Sequence, residues 1–453
     1  MYCIDLLGSS LLPLRGLPHV GGVAIRTNQE MVNRTLHEVA SMLSLRERLF
    51  EAKEIDSMAT LRRLHADGDV PELGSADIFL VLDGYGQVNE EYPELTPILN
   101  SVIARGPAYG VHVITSVSRQ NEIRSTQQTY FTHRIELRLS TPSDSAINRR
   151  MAEEVREDTP GRGLSSSRLH GQIALPRIDG DADLATATAG MLAAVERIAD
   201  SAQGRAMPVR VLPATALRPR LSELDNPHLL PLGLLEQDLS GRSLDIEGRE
   251  RHLVVFGDPG TGRSSMLRQF GEHLVETHSD QELMFVVFDP REQLKATLPE
   301  DYVAGYAGNA TVAVPLGEAL VRELEKRSSP QTDDENPMRR ARIVVMVDDY
   351  DVLTGSGESP LAPLVPYLPM AAQLKLHIIL SRRMKGASRG LYEKVMTALM
   401  AQDAATLLLS GDRSEGIILD GLRPQRMPVG RGILVGGSGR HDVVQVFTDR
   451  REP

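Results

Sequence analysis

One eight-residue stretch constrains this chain more than any other: Gly257-Asp258-Pro259-Gly260-Thr261-Gly262-Arg263-Ser264. It follows an apolar run, Leu253-Val254-Val255-Phe256, and leads into a helical pattern that opens Ser265-Met266-Leu267. Strand, glycine-rich turn and helix in that order are the layout of a phosphate-binding P-loop, G-x-x-x-x-G-K-[ST], with arginine in the lysine position. Glycines let successive backbone N–H groups converge on a phosphate, and the helix adds the positive end of its dipole. Ser264 keeps the hydroxyl that such loops use to hold Mg2+. Arg263 keeps the positive charge, as a planar fork rather than a compact ammonium. About 0.03 such matches arise by chance in a chain of this length and ordinary composition, so a chance glycine turn is the weaker reading. The eight residues, with Ser265, are the expected cradle for ATP and its Mg2+.

The 453 residues suffice for two or three domains with a sizeable core. No apolar run approaches the length of a membrane span. Met1 is followed almost at once by the strand-like Tyr2-Cys3-Ile4, which is not the pattern of a signal peptide. The lone Cys3 cannot form an internal disulfide, in keeping with a reducing cytoplasm. A net charge of −11 argues against bulk binding of nucleic acid. With no Trp and only 4% aromatic residues, stacking platforms for single strands are not expected.

The two halves of the chain carry the same signals in the same order. Tyr2-Cys3-Ile4-Asp5 matches Phe285-Val286-Val287-Phe288-Asp289, and a Leu-Pro pair follows each. Ile78–Asp83 with Gly84-Tyr85 matches Ile343–Asp348 with Asp349-Tyr350. Val111-His112-Val113-Ile114 matches Leu376-His377-Ile378-Ile379, and Gly161-Arg162-Gly163 matches Gly430-Arg431-Gly432. Asp83 to Asp348 and His112 to His377 share one offset, 265 residues. Short buried strands between helical stretches such as 30–53 and 315–327 predict an α/β fold with parallel, doubly wound sheets.

Gly257 lies 32 residues before Asp289, and the equivalent position before Asp5 falls upstream of Met1. The first domain is therefore expected to start in the middle of its nucleotide fold, with a sheet edge and part of a core exposed. The expected boundaries are a first domain over 1–205, a Pro- and Arg-rich linker over 206–226 and a second domain over 227–453. The polar stretch 328–341 reads as a mobile loop.

An apolar strand ending in Asp is the other half of a P-loop site. That Asp holds Mg2+ through water, and a following Glu activates the attacking water. The candidates are Asp83, followed by Gly84 with no carboxylate, and Asp348, followed by Asp349, one methylene short of Glu. The competing role for each is a helix cap. Ser264 and Asp348 are the expected Mg2+ holders; Asp83, Asp348 and Asp349 are the expected catalytic positions. Ser116 and Ser381 end the strands that begin at His112 and His377; each is either a γ-phosphate contact or a strand-end hydroxyl. Both histidines read as packed core residues. Arg105, Arg119, Arg382 and Arg383 suit either a subunit interface or plain surface. The two Gly-Arg-Gly stretches fit a nucleotide base, a neighbouring domain or a tight turn.

Taken together these motifs resemble FtsK/SpoIIIE-type ATPases, of RecA-like fold, and within them the EccC-type ATPases of type VII (ESX) secretion. Tyr2–Leu6, Leu17–Val23, Val81–Tyr85, Glu136–Leu139, Pro160–Leu164 and Val255–Asp258 carry the resemblance, in tandem over nearly the whole chain. Such proteins carry several ATPase domains in a row, in one chain or split between two; this chain resembles the last two, as in the second chain of a split protein. The resemblance implies a cytoplasmic part of a secretion motor, attached to membrane-embedded subunits and assembled as a hexameric ring. It implies recognition of small helical-hairpin substrates through C-terminal signal peptides. Arg263 and the missing first P-loop imply nucleotide binding with little or no hydrolysis. Two other classes compete: a DNA translocase, which needs a basic channel and salt-sensitive DNA affinity, and a scaffold with vestigial sites.

Overall fold

The computed structural model describes residues 1–202, 204–328, 341–355, 357, 359–436 and 441–449. Residues 329–340 of the polar stretch expected to be a loop lie outside the described residues. The chain divides into two compact units, Met1–Val211 and Leu212–Pro453. Of the segment read as a linker, Ala206 and Val209 hydrogen-bond to the backbone of Pro18 and Gly21 in the first unit. Ala216 and Leu217 pair with Phe447 and Thr448 in the second.

The first unit is built on β1 (Tyr2–Asp5), β2 (Gly22–Ile25), β3 (Ile78–Asp83) and β4 (Val111–Thr115), in the order β2-β1-β3-β4. All its pairings are parallel, with Asp5 opposite Asp83 at the strand ends. The helix Gln29–Ala52 starts where the Asn28 side chain accepts the Met31 N–H, a satisfied N-cap. Its Val32, Leu36, Val39 and Leu43 pack on Ile4, Leu80 and Leu82. A small antiparallel sheet holds β5 (Ile135–Leu137), β6 (Arg162–Ser165) and β7 (His170–Gln172).

The second unit adds β8 (Ala216–Leu217), β9 (Leu230–Leu235), β10 (Gly241–Leu244), β11 (His252–Gly257), β12 (Leu283–Phe288), β13 (Val303–Ala307), β14 (Arg342–Val347), β15 (Leu376–Arg383), β16 (Ala405–Leu409), β17 (Arg431–Val435) and β18 (His441–Thr448). They form one sheet in the order β10-β9-β18-β17-β16-β11-β15-β14-β12-β13, with β8 on β18. From β13 to β16 every pairing is parallel; from β16 to β10 every pairing is antiparallel. The inner parallel strands β11, β12, β14 and β16 are largely continuous apolar runs because both faces are covered. Val344, Met346 and Ile379 pack on Leu267 and Phe270 of the P-loop helix Arg263–Thr277, while Val345, Val347 and Leu380 face the opposite layer.

The sequence repeat is a repeat of sheet order: β2-β1-β3-β4 has the same connectivity as β13-β12-β14-β15. In the second unit β15 is flanked by the P-loop strand β11, whereas β4 is an edge. Phe79 and Ile114, at the positions of Val344 and Ile379, are 39% and 54% exposed. His112 departs from its reading as a core residue for the same reason. It lies on that edge, half-buried, stacked on Phe79 and bonded to Asp77. His377, inside the larger sheet, is buried as expected.

Candidate nucleotide site

The P-loop lies at the C-terminal end of β11, and its glycines are required by space and by dihedral angle. A Cβ on Gly257 would come within 2.5 Å of the Thr261 hydroxyl. Gly262, the residue before the helix, has φ +104°, a conformation L side chains rarely adopt. Thr261 closes the turn by donating its hydroxyl to the Asp258 carbonyl at 2.8 Å, and Asp258 N–H donates to the Ser410 carbonyl, just past the end of the adjacent strand β16. Pro259 and Gly260 form the exposed crown. Ser265, in the first turn of the helix, accepts from Arg268 rather than pointing into the cradle chemistry.

The structure brings the second-unit residues together. Ser264 donates to Asp348 Oδ2 at 2.6 Å, and Ser381 donates to Asp348 Oδ1 at 2.5 Å. The Ser381 hydroxyl also accepts the Asp349 N–H at 3.0 Å. Asp348 is therefore a strand-end carboxylate clasped by hydroxyls from the P-loop helix and from β15, not a helix cap. Burial pushes its carboxyl above the ordinary value; the two hydroxyls oppose that, the Asp349 charge adds to it and Arg263 opposes it. Hydroxyl and carboxylate oxygens are the hard donors Mg2+ takes, so Ser264 and Asp348 fit the role of holding it.

Arg263 and Asp349 meet. Arg263 Nη2 lies 2.7 Å from Asp349 Oδ1, with side chains only 8% and 5% exposed. Arg291 Nε lies 2.6 Å from Asp349 Oδ2 and is half exposed. Arg263 Nη1 and Asp349 Oδ1 are both buried, and neither has a hydrogen-bond partner among the described residues, so Arg263 and Asp349 meet as an ion pair without hydrogen-bond geometry. Asp349 adopts φ +46°, unusual for a residue with a side chain. Sequence reasoning missed Arg291. Its only signal was a basic residue two positions after the strand-end Asp289, whose own carboxylate is buried and accepts from Leu294 N–H and the Tyr306 hydroxyl.

The Gly-Arg-Gly stretch of the second unit belongs to the P-loop. Gly430 N–H donates to the Thr261 carbonyl at 3.1 Å, and Gly262 packs against Gly430. Arg431 turns away and bonds to Gln445 and to the carbonyls of Leu212 and Pro213. In the first unit Arg162 is exposed on β6. Of the four arginines considered for an interface, Arg105 pairs with Glu47, Arg382 is buried against Glu393, Arg383 lies near Asp351, and Arg119 is exposed.

The first unit repeats half of this arrangement. Ser116 donates to Asp83 Oδ1 at 2.5 Å and accepts the Gly84 N–H at 2.9 Å. Gly84, at φ +92°, occupies the place of Asp349. The strand-end Asp, its hydroxyl partner and the left-handed residue after it are thus common to both units, while Ser264, Arg263 and the loop have a counterpart in neither β3 nor β4.

The FtsK/SpoIIIE family matches residues 1–179. The chain is 35% identical over 442 residues to the ESX secretion system protein EccC of Thermomonospora curvata, covering 96% of this chain and 34% of that protein. It thus spans about a third of the length of that relative. It is 33% identical over 476 residues to the ESX-1 secretion system protein EccCb1 of Mycolicibacterium smegmatis, covering 100% of this chain and 79% of that one. Among solved structures, Thermomonospora curvata EccC (ATPases 2 and 3) in complex with a signal sequence peptide superposes with a TM-score of 0.84 at 34% identity, over 100% of this chain and 82% of that one. A tandem of FtsK-like units, one with a P-loop closed on a strand-end aspartate, and a one-third identity sustained along the whole chain place this protein in the EccC family of ESX secretion ATPases.

Proposed function

We propose that the chain is a nucleotide-binding and substrate-recognising part of a type VII secretion motor, binding ATP–Mg2+ in its second unit with little or no turnover. The observation that carries the reading is the Ser264–Asp348–Ser381 clasp beside an Arg263–Asp349 ion pair. The first supplies what holds a nucleotide and its metal. The second occupies both groups that would otherwise turn it over. When bound, Mg2+ would supply charge neutralisation for the phosphates; Ser264 and Asp348 would hold it, and Arg263 would supply a fixed positive charge.

The signal sequence peptide bound to Thermomonospora curvata EccC supports recognition of a substrate signal sequence here; we further propose that the signals are C-terminal and the substrates small and helical. A cytoplasmic location against membrane-embedded subunits, and a hexameric ring, follow the same reading. Among the described residues no helix is long and apolar enough to cross a membrane. The net charge of −11 disfavours DNA as cargo.

The test is a titration of the purified chain with ATP–Mg2+, alongside phosphate release and binding to duplex DNA across a salt series. Saturable ATP binding, turnover far below the 1–10³ s⁻¹ of ordinary enzymes and no specific DNA affinity are expected. Turnover of several per second that is lost in Arg263→Ala would overturn the reading. Sub-micromolar DNA binding with a steep salt slope would favour a translocase.

A further inference from the structure

A lysine in the P-loop has one nitrogen and can serve one partner well; a guanidinium has a fork and can serve two. Arg263 uses only one arm of that fork on the protein. Nη2 forms an ion pair with Asp349 Oδ1 at 2.7 Å, and the buried Nη1 has no hydrogen-bond partner among the described residues. A buried N–H without an acceptor is costly, and a bound phosphate oxygen would relieve that cost. Asp349, for its part, is ion-paired through Oδ1 with Arg263 and through Oδ2 with Arg291, and its Oδ1 makes no hydrogen bond among the described residues.

We infer that Arg263 is at once the phosphate ligand of this site and the clamp that keeps Asp349 from activating water. Nη1 takes a phosphate oxygen of a nucleoside triphosphate while Nη2 stays on Asp349. The nucleotide is then held without loosening the carboxylate, and occupancy and turnover are separated by one side chain. Arg291, at the rim and half exposed, holds the second oxygen and is the weaker of the two ties. Gly84 sets the contrast: the equivalent place in the first unit has no carboxylate, so no clamp is needed there.

The inference rests on the nucleotide-binding reading and predicts that the clamp can be undone. With Arg263→Lys the compact ammonium goes to the phosphates, and Asp349 is left with Arg291 alone. In that variant a water oxygen bonds to the γ-phosphorus. The bond from that phosphorus to the β,γ-bridging oxygen breaks, its electron pair leaves on the nucleoside diphosphate, and the water proton passes to Asp349 and then to solvent. A positioned carboxylate contributes about 10²–10⁴-fold to such a step.

The experiment measures ATP affinity and phosphate release for the full chain and for R263K, R263K/D349E and R263K/D349A. Expected is ATP binding within about threefold of wild type in the lysine variants, with kcat rising at least about tenfold in R263K. R263K/D349E, which restores the longer carboxylate, should be faster still, and R263K/D349A should fall back to the wild-type rate. Failure of wild type to bind ATP at all sinks the nucleotide-binding reading itself. Wild-type binding with no gain of turnover in either R263K or R263K/D349E overturns the clamp alone, as does a gain that survives in R263K/D349A. A lysine variant that no longer binds ATP while wild type does also overturns it, because the phosphate role would then need the fork.

Discussion

Asp348 and Asp83 each take a hydroxyl from the neighbouring strand, and what separates them is burial. The Ser381–Asp348 bond is fully buried; Ser116 is exposed and Asp83 half-buried. Ser381→Ala leaves a buried carboxylate oxygen and the Asp349 N–H without their partner, which costs about 1–3 kcal/mol. In Ser116→Ala water replaces the lost hydroxyl, so the cost should be a fraction of that. Urea denaturation read by peptide-resolved hydrogen exchange separates the two units, and equal losses would refute the comparison. Asp83, Asp348 and the P-loop were legible in the sequence because an apolar run ending in a charge is a local pattern. The role of Ser381 was only half legible, because a strand-end serine looks the same whether or not an aspartate stands beside it. Arg291 was not legible: it reaches Asp349 only through the adjacency of β12 and β14, which are separated by a helix and a long polar stretch.

At the scale of elements, β11 and β15 bury two histidines side by side in a parallel pair. His252 accepts the Ile378 N–H at Nδ1, and burial, helped by the Arg251 charge, pulls its pKa down to about 4. Burial also pulls His377 down to about 3, with Arg342, His252 and Arg251 adding to it. The unfolded chain protonates these groups near 6.5, so between that value and the folded pKa it binds more protons than the native state. Stability is therefore complete above about 6.5 and is lost as pH falls toward 4, by up to about 1.4 kcal/mol per pH unit for each histidine. The expected outcome is a steep loss of stability of the second unit between pH 6.5 and 4.5 that becomes shallower in His377→Leu. Comparing the two proteins cancels the opposing effect of Asp348, whose carboxyl is raised by burial. An unchanged slope would show that His377 is not held neutral. The alternating strands and helices, and the repeat between halves, were readable from the chain because buried parallel strands are unbroken apolar runs. The antiparallel half, β16 to β18 with β9 and β10, was less so, since short apolar runs do not state their direction. The same limit misplaced His112: its neighbours in sequence are those of a core strand, but its strand has one partner where β15 has two.

At the scale of the molecule, the two units share a sheet plan and differ in what a ligand could grip. Residues 212–453 contain the loop, its helix, the clasped aspartate and the arginine fork. Residues 1–211 contain the aspartate and its serine, with β4 as an edge. A ligand stabilises only the state that binds it, by RT ln(1 + [L]/Kd), about 2.7 kcal/mol at a hundredfold excess over Kd. ATP–Mg2+ should therefore raise the stability of the second unit by about that amount and leave the first where it was. Hydrogen exchange with and without nucleotide reads this directly. Protection is expected along β11, the P-loop helix and the Gly430 turn that bonds to Thr261, and not along β3 or β4. Gly260→Asp places a carboxylate on the exposed crown of the loop, at a φ of +77° and where phosphate is expected, so it should abolish the protection. Protection of β11 and the P-loop helix that persists in that variant would show that phosphate does not sit on the loop's crown, and protection that appears around Asp83 would put a nucleotide on the first unit. No protection anywhere in a folded protein would leave the loop vestigial and the chain a scaffold for substrate docking.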